Sequence, residues 1–120
     1  MKVLVIGDIH GRQNWKLHVW EKADVDKVVF HGDHFDSYEK SLNQEHQIKN
    51  FLEIMKLRKE DDRVVTLIGN HDLHYFKDVT DICSGHQSNP QPITDVLEEH
   101  KHLLKVAHQE GNWLFSHAVS

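Results

Sequence analysis

At 120 residues the chain is long enough for one domain, residues 1–120, with an adequate but not generous core. Its formal net charge of −5 argues against a broad nucleic-acid-binding face, which needs clustered Lys and Arg, so long duplex nucleic acid is not an expected partner. Acidity still allows a phosphorylated small molecule or nucleotide as substrate, because divalent cations held by a few carboxylates reverse the local sign.

Twelve histidines are too many to be background, and Cys83 is the only cysteine. A single cysteine rules out an internal disulfide and a thiolate zinc site, and makes a reduced, cytoplasmic setting the expectation. The first apolar run, Val3 to Ile6, is too short for a signal-peptide core or a membrane span. The expectation is a soluble protein with no membrane association.

In chain order, residues 2–6 read as a strand that breaks at Gly7-Asp8-Ile9-His10. Trp15, Val19 and Trp20 then recur at helical spacing between Arg12 and Lys22. A second strand, Lys27 to Phe30, runs into His31-Gly32-Asp33-His34-Phe35-Asp36. Ser41 and Gln44 form a capping-box pattern ahead of Ile48, Phe51, Leu52 and Met55, which predicts a helix over 41–59. Arg63 to Ile68 is a third, β-branched strand, stopping at Gly69-Asn70-His71-Asp72. Lys77 to Pro92 is polar and contains Gly85 and two prolines, so it reads as a loop over the strand ends. Asp95 and Glu98 open a predicted third helix with Val96, Leu97, Leu103, Leu104 and Ala107 on its apolar side, and Asn112 to Ser116 is a final strand ending at His117.

Alternating strands and helices imply right-handed crossovers and a mostly parallel sheet with every polar turn on one edge. Side chains two apart on an extended segment leave on the same side, so Asp8 and His10 can share an ion. Asp33, on the middle strand, could bridge two metals, and Asn70 and His117 complete a set of oxygen and imidazole donors. Such donors suit Mn first, with Fe, Zn, Ni or Mg as alternatives, and two ions would clamp the oxygens of an in-line displacement at phosphorus. His71 beside a dication could protonate the leaving alkoxide, with Asp36, three residues past Asp33, holding its ring. Asp72 reads as a turn residue or an acid supporting the ligands.

Gly7-Asp8-Ile9-His10-Gly11, Gly32-Asp33-His34-Phe35-Asp36, Gly69-Asn70-His71-Asp72 and Ser116-His117-Ala118 resemble, in order, the motifs of the calcineurin-like metallophosphoesterases. The resemblance implies that Asp8, His10 and Asp33 bind one metal and Asp33, Asn70 and His117 a second. It also implies His71 as general acid oriented by Asp36, and an α/β/β/α sandwich with the dimetal site at the sheet ends. The implied activity is hydrolysis of phosphomonoesters or phosphodiesters by metal-activated water. Alternatives are a nuclease of the same superfamily and a weakly catalytic metal-binding or assembly form.

Two departures qualify the match. Ser37 stands where protein phosphatases of the superfamily carry arginine, which argues against a dedicated phosphoprotein phosphatase. The final Gly-His-x-His element is absent. Either the chain is a shortened form of the fold, or the last ligand comes from water, another chain or a histidine outside the motifs. An incomplete sandwich would leave an apolar sheet face uncovered, so a homo-oligomer is expected. His31, His34 and His74 are expected to be exposed or to support the ligands, His100, His102 and His108 to face solvent, and Trp15, Trp20 and Trp113 to lie in the core. Cys83 has no evident base beside it and is not expected to be a nucleophile.

Overall fold

The computed structural model describes residues 2–7, 9–16, 24–39, 41–79 and 81–116. Strands β1 (Val3–Ile6), β2 (Lys27–Phe30), β3 (Val64–Leu67) and β4 (Leu104–Lys105) form a parallel sheet in sequential order. Val3 pairs with Lys27, Val28 with Val64, and Thr66 with Leu104. Connections of one hand between strands laid down in order all fall on the same face of the sheet. That face carries helices α1 (Gln44–Glu60) and α3 (Gln91–Glu99). A short α2 (Asn70–Leu73) follows β3 directly.

The two-residue period of a strand sorts the core into two layers. Val28, Phe30 and Val64 pack with Phe51, Ile54 and Met55 of α1 and with Ile93, Val96 and Leu97 of α3. Val29, Val65 and Leu67 point the other way, where Val3 and Phe115 join them. Phe115 belongs to an antiparallel hairpin, β5 (Ala107–Glu110) with β6 (Trp113–Ser116), which supplies the second β layer. The described residues thus form α/β/β, three layers of the expected sandwich.

Four sequence expectations are corrected. Helix α1 begins at Gln44 with Asn43 as its N-cap, whose side chain accepts the His46 N–H (2.9 Å), so Ser41 is not the cap. Helix α3 starts at Gln91, before Asp95, with Pro92 in its first turn, where the missing N–H costs nothing. It ends at Glu99, because Thr66 Oγ1 donates to the Leu103 carbonyl (2.7 Å) and Leu104 pairs with β3; Leu103 closes a separate single turn of 3-10 helix, Lys101–Leu103, and Leu104 and Ala107 are in strands. His100 is buried, not solvent-facing: its Nδ1–H donates to the Val96 carbonyl (2.8 Å) and its ring stands edge-on to Phe51. Trp113 is 73% exposed because it sits beside the Gly111–Asn112 turn, whereas Trp15 is buried and donates Nε1–H to Asn50 Oδ1 (2.7 Å). Val19, Trp20 and most of the helix expected between Arg12 and Lys22 lie outside the described residues.

The turns after β2 and β3 meet backbone to backbone. A Cβ at Gly32, which has φ +100°, would lie 2.5 Å from the Gly69 nitrogen, and one at Gly69 would overlap the Asp33 carboxylate. Gly32→Ala therefore adds left-handed strain and a backbone clash together, and should cost about 2 kcal/mol or more in urea unfolding.

Candidate active site

Three strands of one sense deliver their following turns to one edge. The first two turns are joined by His10 N–H to the Asp33 carbonyl (2.6 Å), Gly11 N–H to the His34 carbonyl (2.8 Å) and His31 N–H to the Ile6 carbonyl (2.8 Å). The second and third are joined by Asp72, fully buried, whose Oδ1 accepts the His34 N–H (2.7 Å) and Oδ2 the Gly69 N–H (2.9 Å). Burial pushes this carboxyl up from its ordinary range, against the pull of His34 and the two N–H groups. Asp72 is thus a tie between two of the turns that carry the expected ligands.

Among the described residues three non-glycines have positive φ, His10 (46°), Asp33 (54°) and Asp36 (67°), and all three are among the expected site residues. Left-handed backbone costs free energy, and it persists where the surrounding structure enforces it.

Of the five expected metal ligands, Asp8 and His117 lie outside the described residues. Of the other three, His10 and Asp33 face each other, and Asn70 opens the helix that meets Asp33. His10 Nδ1–H donates to the Phe35 carbonyl (2.7 Å), which makes Nε2 of the neutral ring an acceptor, and Nε2 faces Asp33 Oδ2 at 3.8 Å. Two acceptors facing each other in a partly buried site is an arrangement a cation resolves, and a histidine whose far nitrogen is held by a carbonyl is the usual state of a metal ligand. Asp33 Oδ1 accepts the His71 N–H (2.9 Å), which brings the first turn of α2, where Asn70 stands, against the same carboxylate. Asn70 donates its amide Nδ2–H to Cys83 Sγ (3.5 Å), so Oδ1 is the atom an ion would take. This donor set fits divalent ions of the hard or borderline kind.

The expected pairing of His71 with Asp36 is present in the geometry: His71 Nδ1 lies 2.9 Å from Asp36 Oδ2, with Asp36 almost wholly buried. The same oxygen accepts His74 Nε2–H (2.7 Å). On the other oxygen, Asp36 accepts the Tyr75 hydroxyl in a short bond and Gln87 Nε2–H at 3.2 Å. Asp36, His71 and His74 place one ligand atom each within 4.8 Å of one another, close enough to hold an ion. Proton placement gives the cluster another reading: His74 Nδ1 accepts the Cys83 N–H (3.1 Å), so in the neutral ring Nε2 carries the proton and points it at Asp36.

A model of the calcineurin-like phosphoesterase family matches residues 1–119 of the chain. The chain belongs to that family. No curated protein and no solved structure gives a significant match. Family membership implies a hydrolase that uses divalent metal ions. No helix among the described residues is long and apolar enough to cross a membrane.

In this calcineurin-like phosphoesterase, two of the remaining partners of Asp36, Tyr75 and Gln87, carry no sequence expectation, and His74 is expected only to be exposed or to support the ligands. His74 follows His71 by three residues on one helical turn, a spacing that puts both on the same face and was a usable signal. His74 is buried, as is His34, whose Nε2–H donates to the Leu67 carbonyl (3.2 Å). Gln87, fifty-one residues beyond Asp36, offered no local signal. Beside His10 a cavity of about 280 Å³ is bordered by Arg12, Ser37, Tyr38 and Glu39. Ser37, at the position of the missing arginine, thus lines space next to the ligand side of the site.

Burial pushes the His74 imidazole below its ordinary 6.5, with Asp36 opposing the shift. The folded protein then resists a proton that the unfolded chain accepts, so stability should fall as pH drops through 6.5. Thermal melts between pH 8 and pH 5 should show a shallower loss for His74→Gln than for the unaltered protein.

Proposed function

We propose that the protein hydrolyses phosphate esters of small molecules or nucleotides, using two divalent ions and transferring the phosphoryl group to water without a covalent intermediate. What supports this is the division of one turn: Asp33 faces His10 across an acceptor pair suited to a cation, and three residues later Asp36 holds His71. His10, Asp33 and Asn70 would hold the ions, with Asp8 and His117 as the further ligands carried over from the family motifs. The chemistry that such ions supply when bound is activation of water and neutralisation of phosphoryl charge, with manganese as the first choice.

The residues themselves divide the remaining work. Nδ1–H of His71 donates to Asp36, which fixes the ring and turns the Nε2 edge outward; in the doubly protonated ring the Nε2 proton would pass to the leaving oxygen, leaving the neutral Nδ1–H form behind. The His10 ring packs edge-on to His71, 5.2 Å between centroids, so the ligand side and the proton-donating side adjoin. Arg12, Ser37 and Tyr38 border the cavity beside His10 and would receive the remainder of the ester. A monoester fits the net charge of −5 better than a long nucleic acid, and the single cysteine fits a cytoplasmic site of action.

Elemental analysis should give two metals per chain, falling in His10→Ala and Asp33→Asn. His71→Asn should retain the metals, lower the turnover of an alkyl phosphate by roughly 100-fold, and barely change that of nitrophenyl phosphate, whose leaving group needs no proton. Metal-free protein from a metal-replete preparation would overturn the proposal. Nitrophenyl phosphate and its bis-ester, compared with manganese present, separate monoesterase from diesterase or nuclease.

A homo-oligomer is proposed from a separate observation. Val106, Trp113 and Leu114, in and before the β5–β6 hairpin, are each at least 68% exposed. Apolar surface of this kind favours association. Light scattering should report an oligomer that Trp113→Ser with Leu114→Ser shifts towards monomer; a monomeric unaltered protein would end the idea.

A further inference from the structure

The loop between α2 and α3 reaches back onto Asp36 through residues the expected machinery does not include. Gln87 Nε2–H donates both to Asp36 Oδ1 (3.2 Å) and to Gln47 Oε1 (3.1 Å). Gln47 Oε1 also accepts the Asp36 backbone N–H (3.0 Å), and Gln47 Nε2–H is tied to the Leu42 carbonyl (2.7 Å). The same loop holds the other donors. Gln87 N–H donates to the Tyr75 hydroxyl oxygen (2.9 Å), which directs the phenol proton towards Asp36. His86 stacks on Tyr75, 4.6 Å between centroids at 20°, and stands edge-on to His74. Cys83 N–H fixes the His74 tautomer. Gly85 passes so near that a Cβ there would lie 3.5 Å from the Asp36 Cβ.

A carboxylate has about four acceptor directions, and all four partners of Asp36 donate. Three of them, His74, Tyr75 and Gln87, are set by the Cys83–Gln87 segment, and only His71 faces the ligand side. A carboxylate with three donors fixed cannot rotate away from the fourth, because rotation would break bonds to buried donors. We propose that His74, Tyr75 and Gln87 are positioning residues of the phosphoesterase, clamping Asp36 so that His71 is held in one orientation and one tautomer, with the Cys83–Gln87 loop as the strap that closes the clamp. The inference rests on the reading of His71 as the proton donor.

The test uses the metal-loaded protein and five variants, Tyr75→Phe, Gln87→Leu, Gln87→Glu, Gln87→His and His71→Asn, with an alkyl phosphate and nitrophenyl phosphate as substrates. Tyr75→Phe keeps the ring packing and removes one donor, while Gln87 is only half-buried, so its truncation to leucine tests the clamp with little demand on folding. Tyr75→Phe and Gln87→Leu should each lower kcat for the alkyl phosphate about 10-fold, a fraction of the effect of removing the general acid in His71→Asn, with kcat for nitrophenyl phosphate and both KM values nearly unchanged. Gln87→Glu, which sets a second carboxylate against Asp36, should lose more than Gln87→Leu, and Gln87→His, which can restore an N–H, should recover part of the loss. In metal-free protein, nitrogen-resolved NMR should place the His71 proton on Nδ1 and the His74 proton on Nε2, with the His71 signal broadened in Gln87→Leu. Equal losses on both substrates, lost metal, or no loss in Tyr75→Phe and Gln87→Leu while His71→Asn discriminates, would overturn the clamp alone. Absence of discrimination in His71→Asn itself would overturn the proton-donor role and the clamp with it.

Discussion

The buried Asp72 carboxylate is the constraint on which the site depends. By accepting one N–H from the turn after β2 and one from the turn after β3, it holds two backbones at a separation only glycine permits. Asp33 and His71 are then in contact through the His71 N–H, and their side chains inherit fixed directions. A carboxyl pushed upward by burial is costly to keep, and the pull of His34 together with the two N–H bonds offsets part of that cost. The sheet supplies a common edge, but it does not set how closely the turns approach; that is decided by Asp72, Gly32 and Gly69.

Within this frame, one turn carries two opposite chemistries. At Asp33 two acceptors face each other, its own carboxylate and, with the His10 proton on Nδ1, the ring nitrogen Nε2, while the His71 N–H brings the turn that carries Asn70 against the same carboxylate. At Asp36 donors converge from α2 and from the loop before α3. The first arrangement calls for a cation and the second needs none. This separation explains why a cluster of one aspartate and two histidines within ligand distance reads better as a hydrogen-bonded network than as an ion site, even though distance alone allows both. Both aspartates have left-handed backbone, so the turn's shape is part of what aims them in different directions.

Most of the edge was legible because the information is local. A β-branched run followed by glycine and polar residues identifies a strand and its turn, and repetition of that pattern identifies the shared edge. The Asp36–His71 contact was legible through motif spacing. What could not be read was set by distant contacts. The helical spacing of Leu103, Leu104 and Ala107 was accidental, and pairing of Leu104 with β3 overrode it. The inward face of the hairpin is carried by Phe115 rather than Trp113, which no periodicity distinguishes since the two share a phase. Gln87 is invisible in sequence because an ordinary loop glutamine becomes specific only where Gln47 and Asp36 meet it.

The saturation of Asp36 has a consequence for how such a site can change through descent. Every partner approaches with a proton, so the network has a single polarity. An isosteric amide at that position would turn one acceptor into a donor and set N–H against N–H or O–H, leaving buried groups unpaired. Replacing one of the donors by an acceptor fails for the mirror-image reason. Neutral drift by single steps is therefore obstructed in both directions. The loop before α3 is otherwise long and polar, the kind of segment that usually varies freely, yet its Cys83–Gln87 portion is bound to the history of a residue some fifty positions earlier.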